Sequence, residues 1–275
     1  MNPSRLYEPH REDALAKQIA ETKYSTFVAM PFRDTFSYRS QEIYKEIIQK
    51  AAEIANNRKT AKRTFDAPRR VDDAPGQAVV ITEEIVIGIL ESHFFLADVT
   101  FQNAGVILET GIALGLKPNQ QIILISQGTP AELHFDLRNN NVIFYRDSSA
   151  VEKLADAIIA AAAAFEEDAD KYVHSVIKGL SETAIQCLLS QAEEMKKPTG
   201  QRSLHSGRAS EVFKDRSSGE AILLFQAATQ ELIQRKLFEM HFYKDQNGDK
   251  RGMYPTKLGS AVIKKWWPEF FKQQA

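Results

Sequence analysis

Short apolar runs alternate with helical segments along the first two thirds of the chain. Runs rich in β-branched and aromatic residues predict strands at residues 24–30, 68–73, 93–99, 120–126 and 141–146. Apolar residues at helical spacing predict helices at residues 40–57, 82–92, 105–116 and 150–173. Because strands that alternate with helices form right-handed βαβ units, this pattern predicts an α/β domain with a mainly parallel, five-stranded sheet. Its expected strand order is 2-1-3-4-5, the flavodoxin-like arrangement.

A change of pattern near residue 173 predicts a second domain. Two helices, a β-hairpin and a last helix are predicted at residues 180–197, 218–236, 237–256 and 257–267. This order is typical of a winged helix-turn-helix domain. Residues 1–173 carry a net charge of −6, whereas the remainder carries +5. We therefore expect a lead-in, an α/β domain and a smaller winged-helix-like domain, at residues 1–23, 24–173 and 174–275.

Composition is that of a soluble globular protein. Of the 275 residues, 43% are hydrophobic and 26% are charged, and the net charge of −1 gives no bulk attraction for nucleic acid or membrane. Cys187 is the only cysteine, which favours a reducing, cytoplasmic setting. No apolar run approaches the roughly 20 residues of a membrane span, and the first residues lack a signal-peptide core. No membrane contact is therefore predicted. The histidines do not have the spacing of metal ligands, so no metal site is predicted either.

One carboxylate interrupts the apolar helix predicted at residues 105–116. Glu109 shares the side of this helix that carries Val106 and Ala113, which the spacing turns towards the sheet. Helical side chains lean towards the helix N-terminus, so Glu109 is aimed at the edge of the sheet where Asp98 ends the preceding strand. Ligands of parallel sheets bind at that edge. Spacing alone leaves two interpretations equally open: a functional carboxylate, or an ordinary glutamate that is exposed at the surface or paired with a nearby arginine.

Other side chains follow the predicted strands and gather at the same edge. Phe32 can stack on a base, Arg33 can hold a phosphate, and Asp98 can either bind a sugar hydroxyl or fix its own loop. Asn103 is a natural N-cap for the next helix. Each also has an ordinary role in packing, turn formation or solvation. The candidate substrate-binding residues are Pro31, Phe32, Arg33, Asp72, Asp73, Asp98 and Asn103.

Three segments in order, VAMPF, ADVT followed by Asn103, and VILETGIALG, resemble the TIR-like and nucleoside 2-deoxyribosyltransferase-like superfamily of bacterial nucleotide-handling domains. With HFDLRNNNVIFY, the resemblance covers about residues 24–145. In those families the helix after the central strand carries a catalytic glutamate, and the matching position here is Glu109. The resemblance therefore implies cleavage or exchange of an N-glycosidic bond in a deoxynucleoside, a nucleotide or NAD, with no cofactor required.

The implied chemistry suits a buried carboxylate. Breaking the bond between ribose and base passes through an oxocarbenium-like transition state, which a carboxylate can stabilise or capture as an ester. The chain departs from many relatives at Ala104, Thr110 and Leu114, where proline, leucine and histidine are common, so the substrate is left open. A TIR-like enzyme with an appended domain would suit an antiviral defence effector. The alternative is a nucleotide-sensing, non-catalytic adaptor or a DNA-binding regulator.

The predicted hairpin tip carries Lys244, Lys250 and Arg251, which can contact phosphates of DNA. Asp245 and Asp249 lie between them and oppose such binding. Protein docking or self-association through the C-terminal domain is therefore favoured over DNA as its role.

Overall fold

The computed structural model describes residues 4–32, 34–35, 37–70, 81–133, 137, 141–146, 149–195, 208–245 and 248–274. The chain divides into two compact units, Met1–Asp168 and Ala169–Ala275. The division falls inside the longest helix, Ala150–Lys178. No helix within the described ranges is both long and apolar enough to cross a bilayer.

The first unit is built on a parallel sheet. Its strands in chain order are β1 Lys23–Tyr24, β2 Thr26–Ala29, β3 Thr64–Phe65, β4 Arg69–Arg70, β5 Phe94–Asp98, β6 Ile122–Ser126 and β7 Val142–Phe144. The order across the main sheet is β4-β2-β5-β6-β7 with every pairing parallel, while β1 and β3 form a separate parallel ladder. This confirms the predicted α/β class and the five-stranded parallel sheet, in the order expected of a flavodoxin-like core.

Helices connect the strands. They are α1 Ser4–Ala20, α2 Ser40–Ile43, α3 Lys50–Arg58, α4 Ile81–Glu91, α5 Ala104–Leu116 and α6 Ala150–Lys178. A π-helical segment, Tyr44–Gln49, joins α2 to α3, where the sequence pattern predicts uninterrupted α-helix. The N-terminal lead-in belongs to the first unit, because Gln18 at the end of α1 donates hydrogen bonds to the carbonyls of Leu90 and Ser92 at 2.8 and 2.7 Å.

The core of this unit lies on both faces of the central strand β5. All five residues of β5 are buried, as expected for a parallel strand that is covered on both sides. On one face, Phe95 stacks on Phe27 at 6.2 Å between ring centroids, and Val106 and Ala113 of α5 pack into the same cluster. Burial of this apolar surface holds α5, and hence the site that it carries, against the sheet.

A second cluster ties α6 to the start of the sheet. The ring of Tyr24 lies 5.0 Å from that of Phe65 and 6.2 Å from that of Phe165. The Tyr24 hydroxyl donates to Glu166 at 3.2 Å, and Arg63 pairs with the same carboxylate at 2.8 Å. The part of α6 that contains Phe165 and Glu166 is therefore integral to the first unit.

The second unit consists of helices around one hairpin. Its elements are α7 Glu182–Met195, α8 Ala209–Val212, α9 Ser218–Gln234, β8 Phe238–Asp245, β9 Gly248–Pro255 and α10 Lys257–Gln274. Strands β8 and β9 pair antiparallel along their full length. The N-terminus of α10 packs tightly on the chain before β8, since a Cβ placed on Gly259 would lie 1.9 Å from the Leu237 carbonyl oxygen.

Candidate functional site

A buried carboxylate organises the carboxyl edge of the sheet. Asp98, the last residue of β5, is 0% exposed. Its Oδ2 accepts hydrogen bonds from the hydroxyls of Tyr38 at 2.9 Å and Tyr145 at 2.7 Å. Its Oδ1 accepts from the Thr100 hydroxyl at 2.5 Å and from the Thr100 backbone N–H at 3.1 Å. Three loops that follow different strands therefore meet at one side chain.

The electrostatics of this cluster keep its protons on the tyrosines. Burial and the neighbouring Asp98 charge raise the pKa of Tyr38 and of Tyr145 far above their ordinary value, so both hydroxyls donate. Burial is the largest influence on Asp98 and raises the pKa of its carboxyl above the ordinary value, while its four hydrogen bonds oppose this rise without reversing it. With four donors already bound, Asp98 has the geometry expected of a residue that fixes its own loop, the second of its two predicted roles.

The loop that Asp98 holds has an unusual backbone. Phe101 and Gln102 follow Thr100 with φ of 58° and 50°, in the left-handed region that non-glycine residues rarely adopt. Gln102 Nε2 donates to the Glu132 carbonyl at 2.5 Å and ties this loop to the one after β6. As a result Phe101 is 61% exposed, with its ring edge-to-face on Tyr38 at 5.8 Å.

A cleft of about 610 Å³ opens beside this loop. Its lining comes from the loops after β2, β5, β6 and β7, so it lies where ligands of parallel sheets bind. The lining residues that matter below are Thr100, Phe101, Gln127, Glu132, Tyr145 and Arg146. The walls mix apolar and polar surface, with the apolar part slightly larger. Among the polar groups, the Gln127 N–H donates to the Thr100 hydroxyl at 2.8 Å and the Arg146 Nε–H donates to the Gln127 carbonyl at 2.6 Å.

Glu109 is half-buried on α5, between the buried Val106 and Ala113. Burial raises the pKa of its carboxyl from 4.5 to about 7. It makes no hydrogen bond or ion pair with another residue of the described ranges. The carboxylate therefore loses water on burial without gaining a hydrogen bond or a cation from the described residues in return. Functional carboxylates frequently have this property. Glu109 does not belong to the described lining of the cleft, so the two features are distinct.

Of the other predicted site residues, the structure describes Asn103, Pro31 and Phe32. Asn103 is the N-cap of α5, with Oδ1 accepting from the N–H groups of Gly105 at 3.0 Å and Val106 at 3.3 Å. Pro31 is buried, while Phe32 is 54% exposed with the Arg70 guanidinium 5.6 Å from its ring. Three predicted residues lie outside the described residues: Arg33, Asp72 and Asp73. So do the side chains of the hairpin-tip residues Lys244, Lys250 and Arg251.

Sequence reasoning missed Tyr38, Phe101 and Tyr145. An isolated aromatic residue in a loop carries no periodic pattern, so only its position can mark it. Tyr145 lies near the end of the run predicted as the last strand, at residues 141–146, and Phe101 lies three residues after Asp98. The rule that ligand-site residues follow the carboxyl ends of parallel strands would have selected both.

Among the described residues, no three histidine, cysteine, aspartate or glutamate side chains lie close enough together to hold a metal ion. Comparison with protein-family models, with curated proteins and with solved structures found no match to this chain. The fold is that of an α/β protein with a parallel sheet and with a cleft of mixed polarity at the carboxyl edge of that sheet. The desolvated Glu109 lies on α5, the helix that follows the central strand.

Proposed function

We propose that the first unit cleaves or transfers the N-glycosidic bond of a nucleoside, a nucleotide or NAD, with Glu109 as the catalytic group. The observation that carries the proposal is the state of Glu109: half-buried, with no partner in the described ranges and with a pKa raised to about 7. A purely structural glutamate in such a position would be expected to have a cation or a hydrogen-bond donor beside it, because an unpaired charge is costly to bury.

The bond-breaking step needs a nucleophile at the sugar carbon, and such a carboxylate can be that nucleophile. One Glu109 oxygen attacks the anomeric carbon, and the base leaves with the bonding electron pair. Nicotinamide leaves NAD as a neutral ring, whereas a purine or pyrimidine leaving group takes up a proton from water. Water or a free acceptor base then attacks the glycosyl ester, loses a proton to solvent and frees the carboxylate. A pKa of about 7 leaves a large fraction ionised at neutral pH, and poor solvation makes that charge more effective at the developing cation.

The decisive experiment compares Glu109→Gln with the wild-type protein. Each is incubated with NAD, deoxynucleosides and deoxynucleotides, and released base is quantified. We expect the variant to lose activity by about a hundredfold or more, because a charge that acts in the transition state is gone. Ligand affinity should change far less, since the substrate carries little positive charge at its sugar carbon.

The matched control is Glu84→Gln, which removes an exposed carboxylate from the neighbouring helix α4. It should leave turnover at the wild-type rate. Release of base by Glu109→Gln as fast as by the wild type would refute the catalytic role.

A second candidate is a nucleotide sensor that binds without turnover. It is favoured by one observation, namely that the described lining of the cleft does not include Glu109. This version predicts binding of a nucleotide by both forms and release of base by neither. The same incubation therefore decides between the two candidates.

For the second unit we propose a winged-helix-like module that docks protein partners. Supporting it are the α9–hairpin–α10 order and the exposed Phe242 on β8. DNA binding is the competing version. If it holds, neutralising Lys250 and Arg251 should weaken a salt-sensitive association with duplex DNA. Absence of DNA association by the full chain at low salt would exclude that version and leave docking.

A further inference from the structure

The cleft at the carboxyl edge has one side chain built for contact with a flat ligand. Phe101 is 61% exposed although it is aromatic, and it lines the cleft. Its φ of 58° and that of Gln102, 50°, are costly for residues with side chains. Four bonds to Asp98, together with the Gln102–Glu132 contact, hold the loop in this shape. The chain thus maintains a strained loop that presents an aromatic ring to the cleft.

The ring is also supported from behind. Tyr38 lies edge-to-face with Phe101 at 5.8 Å, and the Tyr38 hydroxyl is anchored on Asp98. An aromatic ring that is fixed on one side and open on the other can stack on a planar ligand with little loss of conformational freedom.

The charges of the cleft favour a neutral ligand. Its one described arginine, Arg146, lies 3.7 Å from the Glu132 carboxylate, and its Nε is bound to the Gln127 carbonyl. The pair contributes no net charge, so the cleft offers little attraction to a phosphate. Hydrogen-bonding groups remain. The Gln127 side-chain oxygen is buried and accepts no hydrogen bond among the described residues. If the Gln127 amide turned towards the cleft, an N–H or exocyclic amino group of a ligand would supply the missing donor.

We propose that this cleft binds a planar, uncharged heteroaromatic ring of the nucleobase class, stacked on Phe101 with one hydrogen-bonding edge towards the Gln127 amide. The choice of nucleobases rests on the proposed function, whereas the site itself does not depend on Glu109, which does not belong to the described lining. The ring can be the base of the substrate or that of a separate effector nucleoside. Both sources share this chemistry.

The test measures binding rather than turnover. Adenine, cytosine, nicotinamide and adenosine are titrated against the full chain by calorimetry, with ligand-observed NMR for weak binders. Wild-type protein should bind at least one of them. Phe101→Gly should weaken that affinity about 5- to 150-fold, the range expected for loss of one base–aromatic stack. Phe101→Tyr should retain it. Glycine tolerates the left-handed backbone, so Phe101→Gly should remain folded and show this by an unchanged circular dichroism spectrum.

Two further variants sharpen the outcome. Leu108→Ala shortens another exposed apolar side chain, on α5 and outside the described lining, and should bind like the wild type. Phe32→Leu removes the exposed aromatic that the sequence first suggested for stacking. Loss of affinity in Phe32→Leu with full affinity in Phe101→Gly would overturn the proposal, as would the failure of all four probes to bind wild-type protein.

The same titration repeated on Glu109→Gln separates this proposal from the catalytic one. Retained binding with lost turnover supports both. Retained binding by a wild-type protein that releases no base refutes catalysis and leaves the ring site standing. On the Glu109→Gln variant, displacement of the bound base by intact substrate assigns the cleft to the substrate, and simultaneous binding of both assigns it to an effector.

Discussion

At the scale of single residues, Asp98 joins distant parts of the chain through one carboxylate. Its partners Tyr38 and Tyr145 lie 60 and 47 residues away along the sequence. A buried charge is tolerated there because four donors replace the water that it loses.

We expect Asp98→Asn to lower the free energy of unfolding by about 2–4 kcal/mol. The asparagine NH₂ would be a buried donor that faces the hydroxyl or N–H donors now bound to the Asp98 carboxylate. Denaturant titration followed by far-ultraviolet circular dichroism measures the loss. Tyr38→Phe removes one bond and keeps the charge, so it should cost less. A cost for Asp98→Asn below that of Tyr38→Phe would contradict the dominant role given to the charge.

Glu109 makes stability depend on pH. Because its folded pKa of about 7 exceeds the ordinary 4.5, its stabilising contribution is complete below about pH 4.5 and is lost as the pH rises through 7. Glu109→Gln cannot ionise. Its free energy of unfolding should therefore match that of the wild type near pH 4.5 and exceed it at pH 8, by on the order of 1–3 kcal/mol after allowance for partial exposure.

Melting curves at the two pH values measure this difference. Glu84→Gln, at an exposed position of α4, should show the wild-type pH dependence. A glutamine variant at position 109 with no gain at pH 8 would mean that the carboxylate has a partner in solution.

At the scale of elements, the sheet was predictable and parts of the helices were not. A short apolar run such as the one around Phe95 is typical of a parallel strand that is buried on both faces, so the sequence predicts such strands well. The π-helical segment Tyr44–Gln49 leaves no such mark, because its apolar spacing differs little from that of an α-helix over two turns. The depth of Glu109 was half-predictable: spacing placed it on the buried side, but its lack of a partner depends on neighbours from other elements.

The Asp98 cluster was beyond sequence reasoning for a related reason. Pairing Asp98 with Tyr38 and Tyr145 requires knowing which loops meet at the edge of the sheet, and that is set by the strand order. The strained geometry of Phe101 likewise depends on bonds made by its neighbours, since phenylalanine has no preference of its own for the left-handed region.

The junction of the hairpin with α10 makes an element-scale prediction. Replacing Gly259 with alanine would place a Cβ 1.9 Å from the Leu237 carbonyl oxygen, so backbone must move. We expect Gly259→Ala to destabilise the second unit by about 1–3 kcal/mol. Both tryptophans of the chain lie in α10, at positions 266 and 267, so tryptophan fluorescence during denaturation reports on this unit.

Gly219 in α9 supplies the control, because a Cβ there would meet no atom within 4 Å. Gly219→Ala should leave the fluorescence transition in place or raise its midpoint slightly. An equal shift for both variants would show that the close contact at Gly259 carries no cost.

At the scale of the whole molecule, the division inside α6 sets where the chain can be cut. A fragment ending at Asp168 keeps Phe165 and Glu166 with their partners Tyr24 and Arg63. We expect it to fold and melt cooperatively, while a fragment ending at Ala160 should not, because it leaves this cluster open. Circular dichroism melts of the two fragments make the comparison. Cooperative melting of the shorter one would show that the first unit ends earlier than the contacts indicate.

The bond between Tyr24 and Glu166 spans 142 residues. On the ribosome, where chains grow at about 5–20 residues per second, Tyr24 is made roughly 7 to 30 seconds before its partner. During that interval the nascent chain already contains Phe65 and Phe94, whose rings contact Tyr24 in the finished fold. Early contact among these three aromatics would bury part of the apolar surface on which α6 later packs, and so keep it from neighbouring polypeptides until α6 is synthesised.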